Sequence, residues 1–292
     1  MLHSRLIRRA AMLAAAIALP AMVASEASAQ GRADRDRRDA QVLYGTTSNN
    51  LLVQFDERRP DRLIDAQAIR GLGSATLVGL DFRPATGELY GVGSNSALYR
   101  INPDTAIAVS ENVNPDGTPI PFTPALTGMK FGVDFNPTVD KVRVTSDAGT
   151  NLRLNVDEGT LLATDGNLNP GTPKVVGSAY TNSSFRPFVN RPNLTTLYAL
   201  DSATSQVFVQ NPPNAGTLTN GKDVGFRVGL DAGFDIVGEE PAVTGYVANR
   251  RPGARGSTLY RLNPVTGRSK SLGRIGNGNR IVTGLAAVQL DG

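Results

Sequence analysis

The sequence predicts an all-β chain, a five-bladed β-propeller built from four-stranded blades, and three observations predict it. The first is a repeat. Gly-apolar-Asp-Phe stands at Gly79-Leu80-Asp81-Phe82 and at Gly132-Val133-Asp134-Phe135, with a near copy at Gly233-Phe234-Asp235-Ile236 and looser copies at Gly177-Ser178-Ala179-Tyr180 and Gly284-Leu285-Ala286-Ala287. Its glycines are 53, 45, 56 and 51 residues apart, a period that marks one supersecondary unit copied around a fold. The second is the texture of the chain after Gln41. Short runs rich in Val, Leu, Tyr and Phe alternate with Gly, Pro, Asn and Asp turns, and helical periodicity is almost absent. The third is a complementary deficit at the two ends of that region.

The unit from Val78 shows the layout. Val78 to Phe82 is an apolar run suited to a strand buried on both faces, and Pro84-Ala85-Thr86-Gly87 turns into Glu88 to Val92. Asn95-Ser96 turns into Ala97 to Ile101, and Asn102-Pro103-Asp104-Thr105 into Ala106 to Ser110. Four antiparallel strands in about 50 residues make one blade. The next unit repeats this with Phe131 to Phe135, Lys141 to Thr145, Asn151 to Asn155 and Thr160 to Thr164. A third begins at Val175 and continues with Thr196 to Leu200 and Gln206 to Gln210. It is the least regular, because Thr181 to Asn193 inserts a polar loop. A fourth begins at Ala232 and uses Val243 to Val247, Thr258 to Leu262 and Ser269 to Leu272.

The ends then fit together. Ile281 to Leu290 reads as an innermost strand with nothing after it, whereas Val42 to Gly45, Leu51 to Asp56 and Arg62 to Ile69 read as second, third and fourth strands with nothing before them. Pairing the two completes a blade and removes an open sheet edge. One propeller domain over residues 41–290 follows. Six blades is the alternative, since Glu111 to Thr127 is long enough to hold another hairpin.

Ahead of the propeller, Arg5, Arg8 and Arg9 lead into an apolar run from Ala10 to Ala24, and Ala27-Ser28-Ala29 is a small-x-small cleavage site. Residues 1–29 read as a signal peptide, by a general or a twin-arginine route, and residues 30–40 as a flexible charged lead-in. Export to a periplasm or the extracellular space is expected, with no membrane span. Cleavage also removes His3, the only histidine. The remaining chain has no His, Cys or Trp, which excludes a Ser-His-Asp triad, a thiol nucleophile, disulfides and His- or Cys-ligated zinc. Three of 30 basic and one of 26 acidic residues precede Gln30, leaving 27 against 25, or +2. That balance argues against nucleic acid as a partner.

Chemistry must therefore come from carboxylates, Lys, Arg, Tyr, Ser, Thr or a hard cation. Asp81, Asp134 and Asp235 share one repeat position, so they recur at one height near the axis. Converging there, they suit Ca²⁺ binding or acid and base work on a glycosidic bond. They equally suit hydrogen bonding to backbone amides of a neighbouring blade. Departures from the repeat are the other pointers: Glu111 to Thr127, Thr181 to Asn193, and Asn211-Pro212-Pro213-Asn214. In the second of these, Phe185, Arg186, Phe188 and Arg191 suit a sugar or peptide ligand, or else cover the core rim.

The strings LVGLDFRPATGELYGVGS, FTPALTGMKFGVDFNPTVDKVRVTSDAGTNLRLNVDEGTLLATD, TTLYALDS and VFVQNPPNAGTL, in that order, resemble the bacterial family catalogued as domain of unknown function 4394. The resemblance runs from about Val42 to Ala287. It implies a propeller of exported proteins and transfers no catalytic residue. The expected function is a non-catalytic scaffold binding a glycan, peptide or envelope component. The alternatives are a carbohydrate-active hydrolase or lactonase-like enzyme using the axial carboxylates, and an envelope protein tethered by the charged segment Gly31 to Asp39.

Overall fold

Each Gly-apolar-Asp unit becomes the innermost strand of a four-stranded antiparallel sheet. In the computed structural model, residues 40–186 and 190–288 are described. The segments read above as a signal peptide and a charged lead-in lie outside them, apart from Ala40. In chain order the strands are β1 (Val42–Thr47), β2 (Leu51–Asp56), β3 (Leu63–Ala68), β4 (Leu77–Phe82), β5 (Leu89–Gly93), β6 (Leu98–Asn102) and β7 (Ile107–Ser110). Then come β8 (Phe131–Asn136), β9 (Lys141–Ser146), β10 (Asn151–Asn155), β11 (Thr160–Thr164), β12 (Val175–Tyr180), β13 (Leu197–Asp201), β14 (Gln206–Gln210) and β15 (Leu218–Asp223). The last are β16 (Ala232–Val237), β17 (Thr244–Asn249), β18 (Thr258–Leu262), β19 (Ser269–Arg274) and β20 (Val282–Ala287).

Five sheets result, and the chain is a five-bladed propeller. Blade 1 has the order β20-β1-β2-β3; blades 2 to 5 are β4 to β7, β8 to β11, β12 to β15 and β16 to β19. The predicted closure is present: β20 pairs with β1 in the register Leu43↔Ala287 to Thr46↔Gly284. Blade 4 gains the fourth strand that its sequence had hidden, β15, which follows the Asn211–Asn214 loop. The segment proposed to hide a further hairpin builds no blade. Residues 111–127 carry a single bridge, Val113 to Pro119, and their apolar anchor Phe122 is buried in the core between blades 2 and 3.

The glycines set how closely the blades meet. A Cβ on Gly177 would lie 2.7 Å from Phe234 Cβ, one on Gly233 would lie 2.6 Å from the Gly284 carbonyl carbon, and one on Gly284 would lie 2.8 Å from Leu80 Cδ2. On Gly79 it would meet Val133 Cγ2 at 2.5 Å, and on Gly132 it would collide with the backbone nitrogen of Ser178. Each glycine faces the inner strand of the next blade, so the five form a closed waist around the axis. The core lies between adjacent blades. Inner and second strands are buried almost throughout, as in β5 and β13, while outer strands such as β3 face solvent. Among the described residues, no helix is long and apolar enough to cross a membrane.

Candidate functional site

The axis has two ends, an upper mouth where the inner strands begin and a lower end where they finish. The carboxylates lie below the glycine waist. Asp81, Asp134 and Asp235 are 4, 1 and 2% exposed, and one oxygen from each falls within 4.8 Å of the others. Each reaches the following blade. Asp81 accepts from its neighbour Phe82 N (2.7 Å) and from Phe135 N of blade 3 (2.7 Å). Asp134 accepts from Tyr180 N of blade 4 (3.0 Å). Asp235 accepts from Ile236 N (2.6 Å) and from Ala287 N of blade 1 (2.6 Å). The carboxylates are therefore latches between successive blades. Ala179 and Ala286 hold the matching positions in blades 4 and 1. There the joins are made by Ser183 Oγ donating to Ile236 O (3.1 Å) and by Tyr44 against Phe82, ring centroids 5.3 Å apart at 76°.

Three carboxyls in so little volume cannot all carry charge. Burial pushes Asp235 up to about 7, against the amides that favour its charged form. Burial, and then the charge of Asp235, raises Asp81 well above the ordinary range; burial, and then the charges of Asp81 and Asp235, does the same to Asp134. Protons neutralise such a cluster, and so does a hard cation. Ca²⁺ takes six to eight oxygens. Here the backbone amides already engage both oxygens of Asp81 and of Asp235, so the donor set fits protonation better.

The lower end is also crossed by a strap. The loop from Thr181 leaves blade 4 and touches three others. Arg186 N donates to Pro84 O of blade 2 (2.8 Å), Arg191 pairs with Asp140 of blade 3 (3.4 Å), and Asn182 N donates to Gly238 O of blade 5 (3.2 Å). Arg186 also pairs with Glu239 (3.4 Å), and Phe185 lies against the turn at Gly87. Phe188 lies outside the described residues. Other charges at this end are paired as well. Arg83 meets Asp140 (2.5 Å) and Asp157 (2.8 Å), and Glu57 accepts from Tyr246 Oη (2.7 Å) and pairs with Arg261. The Asn211–Asn214 loop serves blade packing too. Buried Arg143 donates to Asn214 Oδ1 (2.8 Å), to Asn151 Oδ1 (2.7 Å) and to Asp165 (2.6 Å).

The upper mouth differs. A cavity of about 200 Å³ opens there, lined by Thr47, Ser48, Thr76 and Thr283, with Met129 and Leu230 among its apolar residues. Met129 is 81% exposed and Leu230 57%. Lys130 Nζ lies 2.5 Å from Asp231 Oδ1, and Arg250 Nη1 lies 2.8 Å from Asp231 Oδ2. Burial acts against the Asp231 carboxylate, but these two cations hold it below its usual range. Below this cavity the glycine waist leaves only about 10 Å³, and none of Asp81, Asp134 and Asp235 lines either space. Sequence reading missed this site because Lys130 precedes the inner strand of blade 3 and Asp231 that of blade 5, 101 residues apart. The one available signal was the cationic loop Asn249-Arg250-Arg251-Pro252-Gly253-Ala254-Arg255, a short departure from the repeat.

Fold and axis together define a β-propeller whose upper mouth is open and charged. The chain belongs to the family described as domain of unknown function (DUF4394), whose model matches residues 51–286. No curated protein matches it. Among solved structures it is similar to the WD40 repeats of RRP9, at 13% identity and a TM-score of 0.41, over 78% of this chain and 56% of that one. It is likewise similar to YCF48 bound to D1 peptide, at 11% identity and a TM-score of 0.41, over 80% of this chain and 78% of that one. The chain thus spans little more than half the length of the first of these.

Proposed function

We propose that this propeller is an exported, non-catalytic scaffold that binds a ligand or partner at its upper mouth. The observation that carries the reading is the asymmetry of the axis. The lower carboxylates are occupied by backbone amides and lie under the strap, whereas the upper mouth offers a cavity of about 200 Å³ with hydroxyl, aliphatic and charged groups around it. Rigid scaffolds carry function on such loop-built faces. A hydrolase reading has weaker support, because the upper cavity and the gap at the glycine waist stop short of Asp81, Asp134 and Asp235. Export rests on the basic start, apolar run and Ala27-Ser28-Ala29 site.

A thermal-shift screen of glycans, peptides and envelope fragments tests the binding. A hit should vanish in Met129→Asp/Leu230→Asp and persist in Phe185→Ala; the opposite pattern overturns the upper-mouth assignment. Fractionation should place the protein outside the cytoplasm with its N-terminus at Gln30; recovery in the cytoplasm alone with an intact Met1 would overturn export.

A further inference from the structure

The rim of the upper mouth concentrates the positive charge of the chain. Three segments meet there: residues 227–231, 250–257 and 274–281. Arg250 N donates to Asp231 O (2.9 Å), Asn249 Nδ2 donates to Arg227 O (3.0 Å), and Ser257 N donates to Arg280 O (2.7 Å). The Arg274 side chain packs beside Gly278. These segments hold six arginines and one carboxylate, an excess of five positive charges in a chain whose total is +4. The carboxylate, Asp231, is itself neutralised twice, by Lys130 and Arg250. Among the described residues, the guanidiniums of Arg227, Arg251, Arg255, Arg274 and Arg280 enter no ion pair. At the lower end, by contrast, Arg83, Arg186, Arg191 and Arg261 all do.

Unpaired arginines on three adjoining segments repel one another, and an anion that bridges them would relieve that repulsion. Their planar forks match carboxylate and phosphate oxyanions. The adjoining cavity narrows the choice. Its hydroxyls suit a hydroxyl-rich ligand, and Met129 and Leu230 offer aliphatic cover for C–H faces. Its one aromatic ring, Phe131, is buried, so no ring is presented for stacking a nucleobase.

Resting on the scaffold reading above, we propose that the arginine rim binds an acidic, carboxylate-bearing polysaccharide, one acidic sugar of which sits in the mouth cavity.

The test is affinity electrophoresis of the whole protein in gels containing polygalacturonate, dextran or no polymer. Retardation is expected with polygalacturonate alone, weakening as salt rises because exposed charges are screened within about 8 Å at physiological ionic strength. In Arg251→Ser/Arg255→Ser it should fall about tenfold or more with an unchanged melting midpoint. Equal retardation by dextran, or full retardation of the double variant, overturns the proposal. So does tighter binding to duplex DNA or to phosphatidylglycerol vesicles in parallel titrations. A neutral glycan or peptide bound through Met129 and Leu230 but indifferent to the arginines overturns the acidic ligand and leaves the mouth reading standing. Silence toward every probe overturns both.

Discussion

The two ends of the axis handle charge in opposite ways. At the lower end Asp81, Asp134 and Asp235 are buried, face one another and spend their oxygens on backbone amides of the next blade. At the upper mouth the arginines of loop 250–257 and its neighbours are mostly exposed and largely without ion partners. The aspartates belong to the repeat and serve it, as repeated residues in a ring of like units do. The arginines stand outside the repeat, and blade-to-blade contact does not account for them. Position relative to the repeat therefore separates structural charge from charge available to a ligand.

The largest expected effect breaks the lower region at its waist. Gly132→Ala and Gly233→Ala place a methyl into the backbone of the next inner strand. Each should cost about 4 kcal/mol or more, read as loss of soluble protein or collapse of the urea midpoint. Gly79→Ala meets Val133 at Cγ2 (2.5 Å) and at Cβ (2.7 Å), which is fixed to the backbone, so it should cost nearly as much; a loss below about 1 kcal/mol would mean that the inner strands of blades 2 and 3 can part.

Next is the pH dependence of the latches. An unfolded aspartate titrates near 3.9, whereas folded Asp235 titrates at about 7. Between those values native Asp235 holds a proton that the unfolded state has lost, so its contribution to stability falls as pH rises from about 4 to about 7, and Asp81 and Asp134, also raised, extend the loss to higher pH. For Asp235 alone that is about 4 kcal/mol, checked by urea melts across the range. Stability rising with pH over that interval would show that the triad is neutralised otherwise. Asp235→Asn should flatten this slope while costing about 1–3 kcal/mol at pH 5, since an amide cannot accept from both Ile236 and Ala287.

A smaller effect concerns cations. With the amides already in place, calcium or EDTA should leave the melting midpoint unchanged at pH 7, and a calcium-dependent rise would reassign the triad as a cation site. The smallest effect is at the mouth. Arg251→Ser/Arg255→Ser should change stability by no more than about 0.5 kcal/mol while weakening anion binding. A large loss of stability would make these arginines structural and erase the contrast.

Much of the fold was legible because its signals are local. Turn residues such as Asn102-Pro103 and Asn263-Pro264, the apolar runs between them and the recurring glycines fall within single units. The missing inner strand of blade 1 was readable as a deficit at one end and a surplus at the other. Strand β15 was not, because Leu218–Asp223 (LTNGKD) is an outer strand with one buried residue and no apolar pattern to announce it. The Glu111–Thr127 loop showed its length, but not that Phe122 would anchor it instead of a sixth blade.

By itself the sequence determined the repeat, its five recurring glycines and the shared height of Asp81, Asp134 and Asp235, because side-chain alternation and turn chemistry act over a few residues. Only the tertiary structure decided what those aspartates hold, that the Thr181 loop would cross the lower end, and that Lys130 would meet Asp231. Those outcomes depend on ring closure, which brings together residues some 50 to 100 positions apart, and no local preference encodes which of them become neighbours.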